Sequence, residues 1–403
     1  MVVGIIAEYN PFHNGHSYQI EQIRKKFNDA TIVAVMSGNF TQRGEPAILN
    51  KFTRAKLAVL GGCDLVLELP FVFAVRRAQD FARGGINLLK NLGVVDYLAF
   101  GAEIDDIDLL KSIADTIDSV KFKSMIRDKL NTGVSYSNAI CQTLSKITNI
   151  PEKTLSLPNN ILAVEYLRAL KNTSICPFLI QRIKSSYHDK LLNRDISSAS
   201  SIRESIYSDK PNWDLISTTV NSNTFQALQL ADLPYIKNLY RPLVMKIICS
   251  NFDNLKQIYS VNEGLENRII NAVYSTKNFN ELVNFMVSKR YTRSRIQRLL
   301  LYCLIGLKNS QIQQFDTNTY AKVLAFNQKG RDLLHKIKKS ANVPIITKIT
   351  RHIDSRAIYD NYQNLSIYQQ ILKFDIISTD IFNFLYNDIN LKRDFLCSPI
   401  YLE

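Results

Sequence analysis

Short apolar runs alternate with amphipathic segments along the first part of the chain. The run at 2–6 is rich in β-branched residues, and similar runs cover 31–37, 64–70 and 96–103. Segments with apolar residues at helical spacing follow, near 16–27, 52–60 and 78–92. Strands alternating with helices predict a parallel, doubly wound α/β sheet, whose ligands bind beyond the carboxyl ends of its strands. Those ends carry His13, Ser37, Glu68 and Gly101.

The pattern changes after the fourth run. A helical stretch without strand signals covers about 105–147, and Pro158 marks the turn into a further helix. One more strand is predicted at 176–189, with Arg182 near its end, and the serines at 197–201 are typical N-caps for a helix that carries Arg203. From about 209 onward the pattern is mostly helical, apart from a possible strand at 321–327.

Two of the chain's five histidines stand three positions apart, in the four-residue H-N-G-H of the stretch "GIIAEYNPFHNGHSYQI", residues 4–20. They follow the first strand and precede a helix, whose free N–H groups form a site for anions. Gly15 leaves room for a phosphate, and the imidazoles of His13 and His16 can donate hydrogen bonds to it. A surface turn with a helix-capping histidine would also explain the motif. A zinc site is a poor fit, because no further His or Cys stands at ligand spacing.

Composition indicates a globular protein of two or three domains, since 403 residues with 46% hydrophobic content allow sizeable cores. No apolar run approaches the roughly 20 residues that span a bilayer, and the N-terminus lacks the pattern of a signal peptide. We therefore expect a cytoplasmic protein. The six cysteines form no C-x-x-C pair, so neither a disulfide framework nor a zinc knuckle is indicated.

The formal charge of +14 favours a polyanionic partner, with nucleic acid as the leading candidate. A general basic bias of the proteome is the alternative. The basic residues concentrate between 289 and 339, around "SKRYTRSRIQR" at 288–298, where Tyr291 could stack on an unpaired base. A solvated helix face would give a similar pattern. The candidate nucleic-acid contacts are Lys289, Arg290, Arg293, Arg295, Arg298 and Lys336.

The ordered motifs resemble a known family. They are "EYNPFHNGH", "MSGNFTQRGEPA", "ELPF", "FGAE", "PNNILAVEYL" and "SSASSIR", and later "KRYTRSRIQRLLL" and "KVLAFNQKGRDLL". This set resembles the nucleotidyltransferase superfamily with a HIGH signature, and more closely the bacterial tRNA(Met) cytidine acetate ligases. The resemblance extends over nearly the whole chain. It implies a Rossmann-like HIGH ATP-binding catalytic domain at 1–208 and a mainly helical, basic tRNA-binding domain at 209–403.

The resemblance also implies the reaction. ATP and acetate give acetyladenylate and pyrophosphate, and the wobble cytidine of elongator tRNA(Met) then takes the acetyl group to become N4-acetylcytidine. His13 and His16 would act on the phosphates. The implied ATP site comprises Ile6, Ala7, Glu8, Tyr9, Asn10, Pro11, Phe12, His13, Asn14, Gly15, His16, Ser17, Tyr18, Gln19, Gly101, Asn160, Arg182, Ile183, Ser198 and Arg203.

Three positions depart from the family pattern: Ala102 stands where Ser is common, Lys322 and Ala325 change the later strand motif, and 74–85 is unusually rich in arginine. Mg²⁺ is expected with ATP, but no carboxylate cage and no protein partner can be identified. Two alternatives remain. One is a nucleotidyltransferase that makes a cofactor dinucleotide or a CDP-type product, and the other is a non-catalytic RNA-binding protein.

Overall fold

The computed structural model describes residues 1–182, 197–359 and 364–403. Its strands are β1 Val2–Ala7, β2 Thr31–Ser37, β3 Leu65–Leu69, β4 Tyr97–Ala102, β5 Cys176–Gln181, β6 Ala321–Phe326, β7 Ile345–Ile346 and β8 Ile400–Tyr401. The sheet order is β5-β4-β1-β2-β3-β6-β7, and β8 pairs with β6. The first five strands are parallel, which confirms the predicted sheet.

Helices surround the sheet and form most of the remaining chain. In chain order they are α1 Asn14–Lys26, α2 Lys51–Leu60, α3 Phe71–Ala74, α4 Ala78–Leu92, α5 Ile107–Asp118, α6 Val120–Asn131, α7 Tyr136–Thr148, α8 Glu152–Leu155, α9 Pro158–Leu170, α10 Ala199–Ile206, α11 Trp213–Thr219, α12 Ser222–Leu230, α13 Tyr240–Ile248, α14 Phe252–Gln257, α15 Leu265–Ser275, α16 Phe279–Met286, α17 Arg293–Ile305, α18 Asn309–Phe315, α19 Gln328–Ser340, α20 Ile367–Asn383 and α21 Arg393–Leu396. Short 3₁₀ helices cover Ile236–Leu239, Ile349–Arg351 and Ala357–Tyr359. No helix in these described ranges is long and apolar enough to cross a membrane.

The two faces of the sheet have separate apolar cores, because successive side chains of a strand point to opposite faces. On one face Val3 and Ile5 of β1 pack with α1, α2 and α10. On the other face Val33 and Val35 of β2 pack with α4 and α9. Strands β1 to β4 are therefore covered on both sides, as their continuous apolar runs predict, whereas the edge strand β5 buries only Ile180.

The second half of the chain does not fold apart from the sheet. The predicted strand at 321–327 is confirmed as β6, which pairs antiparallel with β3. Strands β7 and β8 pair with β6 in turn. The core on the α4 face also includes Leu299 of α17 and Phe374 of α20 beside Phe73 and Phe81. The sheet and this core therefore include residues on both sides of the expected boundary at residue 208, and the region after it combines helices with the short strands β6, β7 and β8.

Candidate functional site

The two histidines of the N-terminal motif cap helix α1. Nδ1 of His13 accepts a hydrogen bond from the Gly15 backbone N–H at 3.0 Å. Nδ1 of His16 accepts one from the His13 N–H at 3.2 Å, which completes a reciprocal capping box. The helix-capping interpretation is therefore correct in part. Capping fixes the two rings at the first turn of α1, and within the described ranges the other nitrogen of each ring accepts or donates no hydrogen bond.

Both imidazoles are neutral hydrogen-bond donors in this arrangement. Burial lowers the pKa of His13 to about 3, with added effect from the charges of Arg182 and Arg203. Burial also lowers the pKa of His16 well below its usual value, and His13 and Arg182 add to this. A neutral imidazole carries one ring proton, and since each Nδ1 accepts a backbone N–H, that proton lies on Nε2. The rings stack with centroids 3.9 Å apart, so the two Nε2–H donors form a pair.

Aromatic packing holds the loop between β1 and α1. The Tyr9 ring meets the His16 ring edge-on with centroids 4.8 Å apart, and Phe12 lies 5.5 Å from His16. Phe12 fills the space beside Gly61, where a Cβ would come within 2.3 Å of its ring. The glycine at the end of α2 therefore lets the loop pack closely, and this contact sets the position of His16.

An open cleft of about 490 Å³ lies in front of the histidines. The first turns of α1 line it on one side, with His13, Gly15, His16, Tyr18 and Gln19, and the ends of β4 and β5 line it on the other. Gly101 of β4 and Arg182 after β5 lie there in contact, since a Cβ on Gly101 would lie 3.1 Å from the Arg182 Cγ. Seven predicted residues, from three separate stretches of sequence, thus share one cleft.

The residues before and after Arg182 in the sequence differ in what the structure describes of them. Ile180 and Gln181 also line the cleft, although the motif analysis did not include them. Their position immediately before Arg182 at a strand end was the available signal. Ile183, the next predicted residue, lies outside the described residues.

The predicted residues of α10 lie behind the histidine loop. Arg203 donates from Nη1 to the Asn10 carbonyl at 2.7 Å, so it fastens the loop that precedes His13. Ser198 is the N-cap of α10 and accepts from the Ser201 N–H at 3.1 Å. Phosphate contacts by Ser198 and Arg203 stay predictions, and the bonds already present assign both side chains a role in holding the loop and the helix.

Asn160 organises the turn that follows β4. Its Oδ1 accepts from the N–H groups of Glu103 and Ile104 at 2.9 and 3.0 Å, and its Nδ2 donates to the Thr154 carbonyl at 2.9 Å. Asn160 is buried and borders an apolar cavity between α5, α7 and α9. It therefore supports the loop next to Gly101, and a direct nucleotide contact at Asn160 stays a prediction.

Glu68 also ends a strand but lies in a closed ionic network. Lys51 Nζ lies 2.8 Å from Glu68 Oε1, 2.9 Å from Asp394 and 2.9 Å from Thr379 Oγ1. Lys322 Nζ lies 2.8 Å from Glu68 Oε2 and 2.7 Å from Asp394 Oδ1. The two cations and two carboxylates are all buried. Glu68 is therefore no cleft residue, and Lys322, one of the departures from the family motif, neutralises it.

Charged neighbours within this network shift the pKa values of Asp394 and Lys322. Burial alone would raise the pKa of Asp394, but Lys322 and Lys51 together lower it below the usual range. Burial would lower the pKa of Lys322, but Asp394 and Glu68 raise it above its usual value. Asp394 and Lys322 thus keep their charges because each lies against groups of opposite charge.

The basic residues near α17 have different surroundings. Arg290 pairs with Glu263 at 2.7 Å and is half exposed. Arg293 donates to Asn284 at 2.8 Å on the exposed side of the helix, and Arg295 lies over the Tyr291 ring at 4.6 Å. Lys289 and Lys336 are exposed. These five side chains can reach a ligand in solvent, although some would exchange one partner for another.

Two residues of this segment have surroundings that the sequence did not indicate, and the nucleic-acid contact of Arg298 stays a prediction. Arg298 donates to the Gln42 carbonyl at 3.2 Å and faces the loop after β2, because the backbone of α17 lies against Gly44. Tyr291 is 8% exposed and its hydroxyl donates to Glu263, so its ring is not presented for stacking on a base. The prediction that Tyr291 stacks on RNA is therefore wrong for this conformation.

The described residues contain no group of three or more His, Cys, Asp or Glu side chains that could hold a metal ion. The chemistry of the cleft agrees with this, because its lining offers imidazole, amide and guanidinium groups and no cluster of carboxylates. The described part of the protein therefore does not fit a protein-held Mg²⁺ site.

Comparison with known proteins gives consistent results. The family model "HIGH Nucleotidyl Transferase" matches residues 1–394. The chain is 37% identical to a tRNA(Met) cytidine acetate ligase of Acetivibrio thermocellus, over 97% of both chains. It is also 37% identical to that of Caldanaerobacter subterraneus subsp. tengcongensis, over 99% of this chain and 98% of the relative.

Solved structures of TmcAL from Thermotoga maritima are similar over the full length. The apo form gives a TM-score of 0.89 with 29% identity, covering 100% of this chain and 99% of the other. A form bound with alpha-thio ATP gives a TM-score of 0.88 with the same identity and coverage. The similarity includes β6 and the helices after residue 208, so the shared sheet is common to these proteins.

Proposed function

The chain belongs to the tRNA(Met) cytidine acetate ligase family of HIGH nucleotidyltransferases, and we propose that it activates acetate with ATP and acetylates the wobble cytidine of elongator tRNA(Met). The observation that carries the proposal is the pair of Nε2–H donors of His13 and His16, which share a cleft with Gly101 and Arg182. Such donors and a cation suit a triphosphate, and the cleft opens at the carboxyl ends of parallel strands.

In the first step an acetate oxygen attacks the α-phosphorus of ATP, and the bond to the bridging oxygen of the β-phosphate breaks. Negative charge then increases on the α-phosphate and on the leaving pyrophosphate. His13 and His16 donate to these oxygens, and their hydrogen bonds strengthen as the charge develops. Because both rings are neutral before and after, no proton has to leave the protein in this step. Arg182 adds a permanent positive charge on the opposite wall.

In the second step the exocyclic amine of the cytidine attacks the acetyl carbonyl of acetyladenylate. The bond between the carbonyl carbon and the phosphate oxygen breaks, AMP leaves, and the amine gives a proton to solvent. The protein contributes mainly by holding the two reactants together, which converts a bimolecular step into one with a high effective concentration. No cysteine or serine nucleophile is required.

Mg²⁺ arrives in this proposal with the ATP phosphates, since the described residues do not supply a cage for it. The phosphates would supply its oxygen ligands, and the cation would offset their charge. We also assign the reaction to the cytoplasm, where ATP and tRNA occur together. The assignment of 1–208 to catalysis and 209–403 to tRNA binding is kept as part of the proposal, with β6–β8 as the elements that join them.

The experiment is incubation of the protein with ATP, radiolabelled acetate and total tRNA, followed by digestion and nucleoside analysis. We expect label in N4-acetylcytidine, and pyrophosphate release that depends on acetate but not on tRNA. Pyrophosphate release that requires a phosphorylated small-molecule acceptor instead of acetate would support a dinucleotide- or CDP-forming enzyme. RNA binding without any ATP turnover would support a non-catalytic RNA-binding protein.

A further inference from the structure

Helix α4 runs antiparallel to β1 and brings its first residues to the carboxyl end of that strand. Leu89 fills the space of a Cβ on Gly4, and Ile6 fills that of a Cβ on Gly85. Four helical residues and two strand residues both span about 6 Å, so the two elements stay in step. Extending this matching of helix and strand residues toward the start of α4 places its N-cap residue Arg77 beyond Ala7, next to the beginning of the histidine loop.

Three arginines at this end of α4 surround one carboxylate. Asp80 is 3% exposed and lies 3.1 Å from Arg76, 2.8 Å from Arg77 and 3.7 Å from Arg83. Asp316 is the second carboxylate of the cluster, 2.7 Å from Arg76 and 4.0 Å from Arg83. Three guanidinium groups therefore share two carboxylates.

The three arginines differ in their access to solvent. The Arg76 side chain is only 4% exposed, and its guanidinium lies 5.3 Å from the centre of the Tyr259 ring, so it holds the cluster together. The side chains of Arg77 and Arg83 are 53% and 49% exposed. The guanidinium groups of Arg77 and Arg83 thus face solvent, while Arg76 and Asp80, the other members of the cluster, are buried.

The loop after β2 connects this cluster with the histidine loop and with α17. Gln42 donates from Nε2 to the Arg76 carbonyl at 2.7 Å, and its backbone N–H donates to Glu8 Oε1 at 2.6 Å. The Gln42 carbonyl accepts the bond from Arg298 of α17. The arginine cluster therefore lies between the end of β1 and the basic helix.

We propose that Arg77 and Arg83 bind RNA phosphates next to the cytidine that receives the acetyl group. The site lies on the α4 side of the sheet, opposite the α1 side that carries His13 and His16. The inference rests on the proposed function, which requires RNA to reach the strand ends where acetyladenylate is made. The inference adds the direction from which RNA approaches the strand ends, which is from α17 across the N-terminal end of α4.

The chemistry of the pair favours phosphate as the ligand. Guanidinium groups bind phosphate through two parallel hydrogen bonds. Arg77 is already oriented by its 2.8 Å hydrogen bond to Asp80, and Arg83 lies 3.7 Å from the same carboxylate. Orientation before binding lowers the entropy lost when the complex forms. The excess of cations over carboxylates leaves net positive charge on the surface after the internal pairs are made.

The test is the salt dependence of tRNA binding by the full chain, measured for wild type and for the Arg77→Gln/Arg83→Gln double variant. Each lost phosphate contact lowers the slope of log affinity against log salt by about 0.7–0.9, so we expect the double variant to lose about 1.5. Lys90→Gln is the matched control, because Lys90 lies at the opposite end of the same helix and should leave the slope unchanged. Acetate-dependent pyrophosphate release without tRNA should be equal in all three proteins.

An unchanged slope in a folded double variant would overturn the inference, and so would an equal loss in Lys90→Gln. If the double variant lacks a cooperative unfolding transition, Arg83→Gln carries the test, because its contacts to Asp80 and Asp316 are the longest in the cluster. We then expect a loss of about 0.7–0.9 in slope, and no loss would contradict the site. Failure of wild type to form N4-acetylcytidine would contradict the proposed function instead, whatever the slopes are.

Discussion

The histidine cleft and the ionic network of Lys51, Glu68, Lys322 and Asp394 both lie where strands of the sheet end, yet their charges differ. The histidines are buried beside arginines, and burial keeps their rings neutral. The network is buried as deeply, but each of its cations lies within 2.9 Å of two carboxylates. A polar residue at a strand end can therefore bind a ligand only when neighbouring groups do not occupy its hydrogen-bond donor.

The two regions also differ in how far apart along the sequence their interacting residues lie. The caps on His13 and His16 come from residues two or three positions away, so a short stretch of sequence builds them. Glu68 meets Lys322 across more than 250 residues, and Lys51 meets Asp394 across 343. Loss of a cleft residue should therefore reduce activity, and loss of a network residue should reduce stability.

The largest expected effect is on the network. Lys51→Met leaves Glu68 and Asp394 with one shared cation, and removal of one partner of a buried ion pair costs about 3–5 kcal/mol of unfolding free energy. Denaturant unfolding of the purified protein measures this. Lys56→Met on the exposed side of the same helix is the control and should change stability by less than about 0.5 kcal/mol. A similar small change in Lys51→Met would remove the distinction between the two regions.

The next effect is on catalysis at the cleft. His13→Asn keeps a side chain that caps α1 but removes the Nε2–H donor, so the rate of acetyladenylate formation should fall about 100- to 1,000-fold while thermal unfolding changes little. His13→Ala should lose the same rate and also about 1 kcal/mol of stability. Pyrophosphate release and thermal unfolding separate the two effects. The exposed His335→Ala is the control for loss of a histidine as such.

A smaller effect is expected on the pH dependence of stability. The pKa of His13 is about 3 in the folded chain and about 6.5 when unfolded, so between these values the unfolded chain binds a proton that the folded chain does not. Stability is therefore lost as pH falls through 6.5, by about 1.4 kcal/mol between pH 7.5 and 5.5. Urea unfolding at both pH values should show this loss in wild type and a smaller one in His13→Asn. Equal losses would mean that the folded ring is protonated at pH 5.5.

The smallest effect distinguishes two arginines of α17. Arg293 lies on the exposed side of the helix, so Arg293→Ala should lower the salt slope of tRNA binding by about 0.7–0.9. Arg298 bonds to the Gln42 carbonyl, so Arg298→Ala should leave that slope unchanged and reduce thermal stability. A slope change in Arg298→Ala alone would show that the cation leaves Gln42 to bind RNA.

The sequence predicted the features that depend on nearby residues. The five parallel strands and the helices α1, α2, α4 and α9 follow from apolar spacing, and the paired histidines follow from the turn between β1 and α1. The joining of Gly101 and Arg182 at one cleft follows from the rule that parallel strands end at the same edge.

Features that depend on distant partners were not predictable in the same way. The apolar pattern of β6 indicates a strand but not the neighbour with which it pairs. The segment around Tyr291 has the composition of an RNA-binding surface, and only the position of Glu263 shows that the tyrosine is turned inward. Asn160 has the same chemistry in a nucleotide site as in a turn, so the sequence could not separate those roles.

The network has a consequence for the order of events during synthesis. Lys51 leaves the ribosome 343 residues before Asp394, and α21, which carries Asp394, is among the last helices made. Chains usually fold from the N-terminus as they emerge. Until Asp394 has been synthesised, however, Lys51 and Lys322 share one carboxylate of this network, Glu68, so the two buried cations are only partly neutralised. The nascent chain can therefore complete this network only after residue 394 has been synthesised.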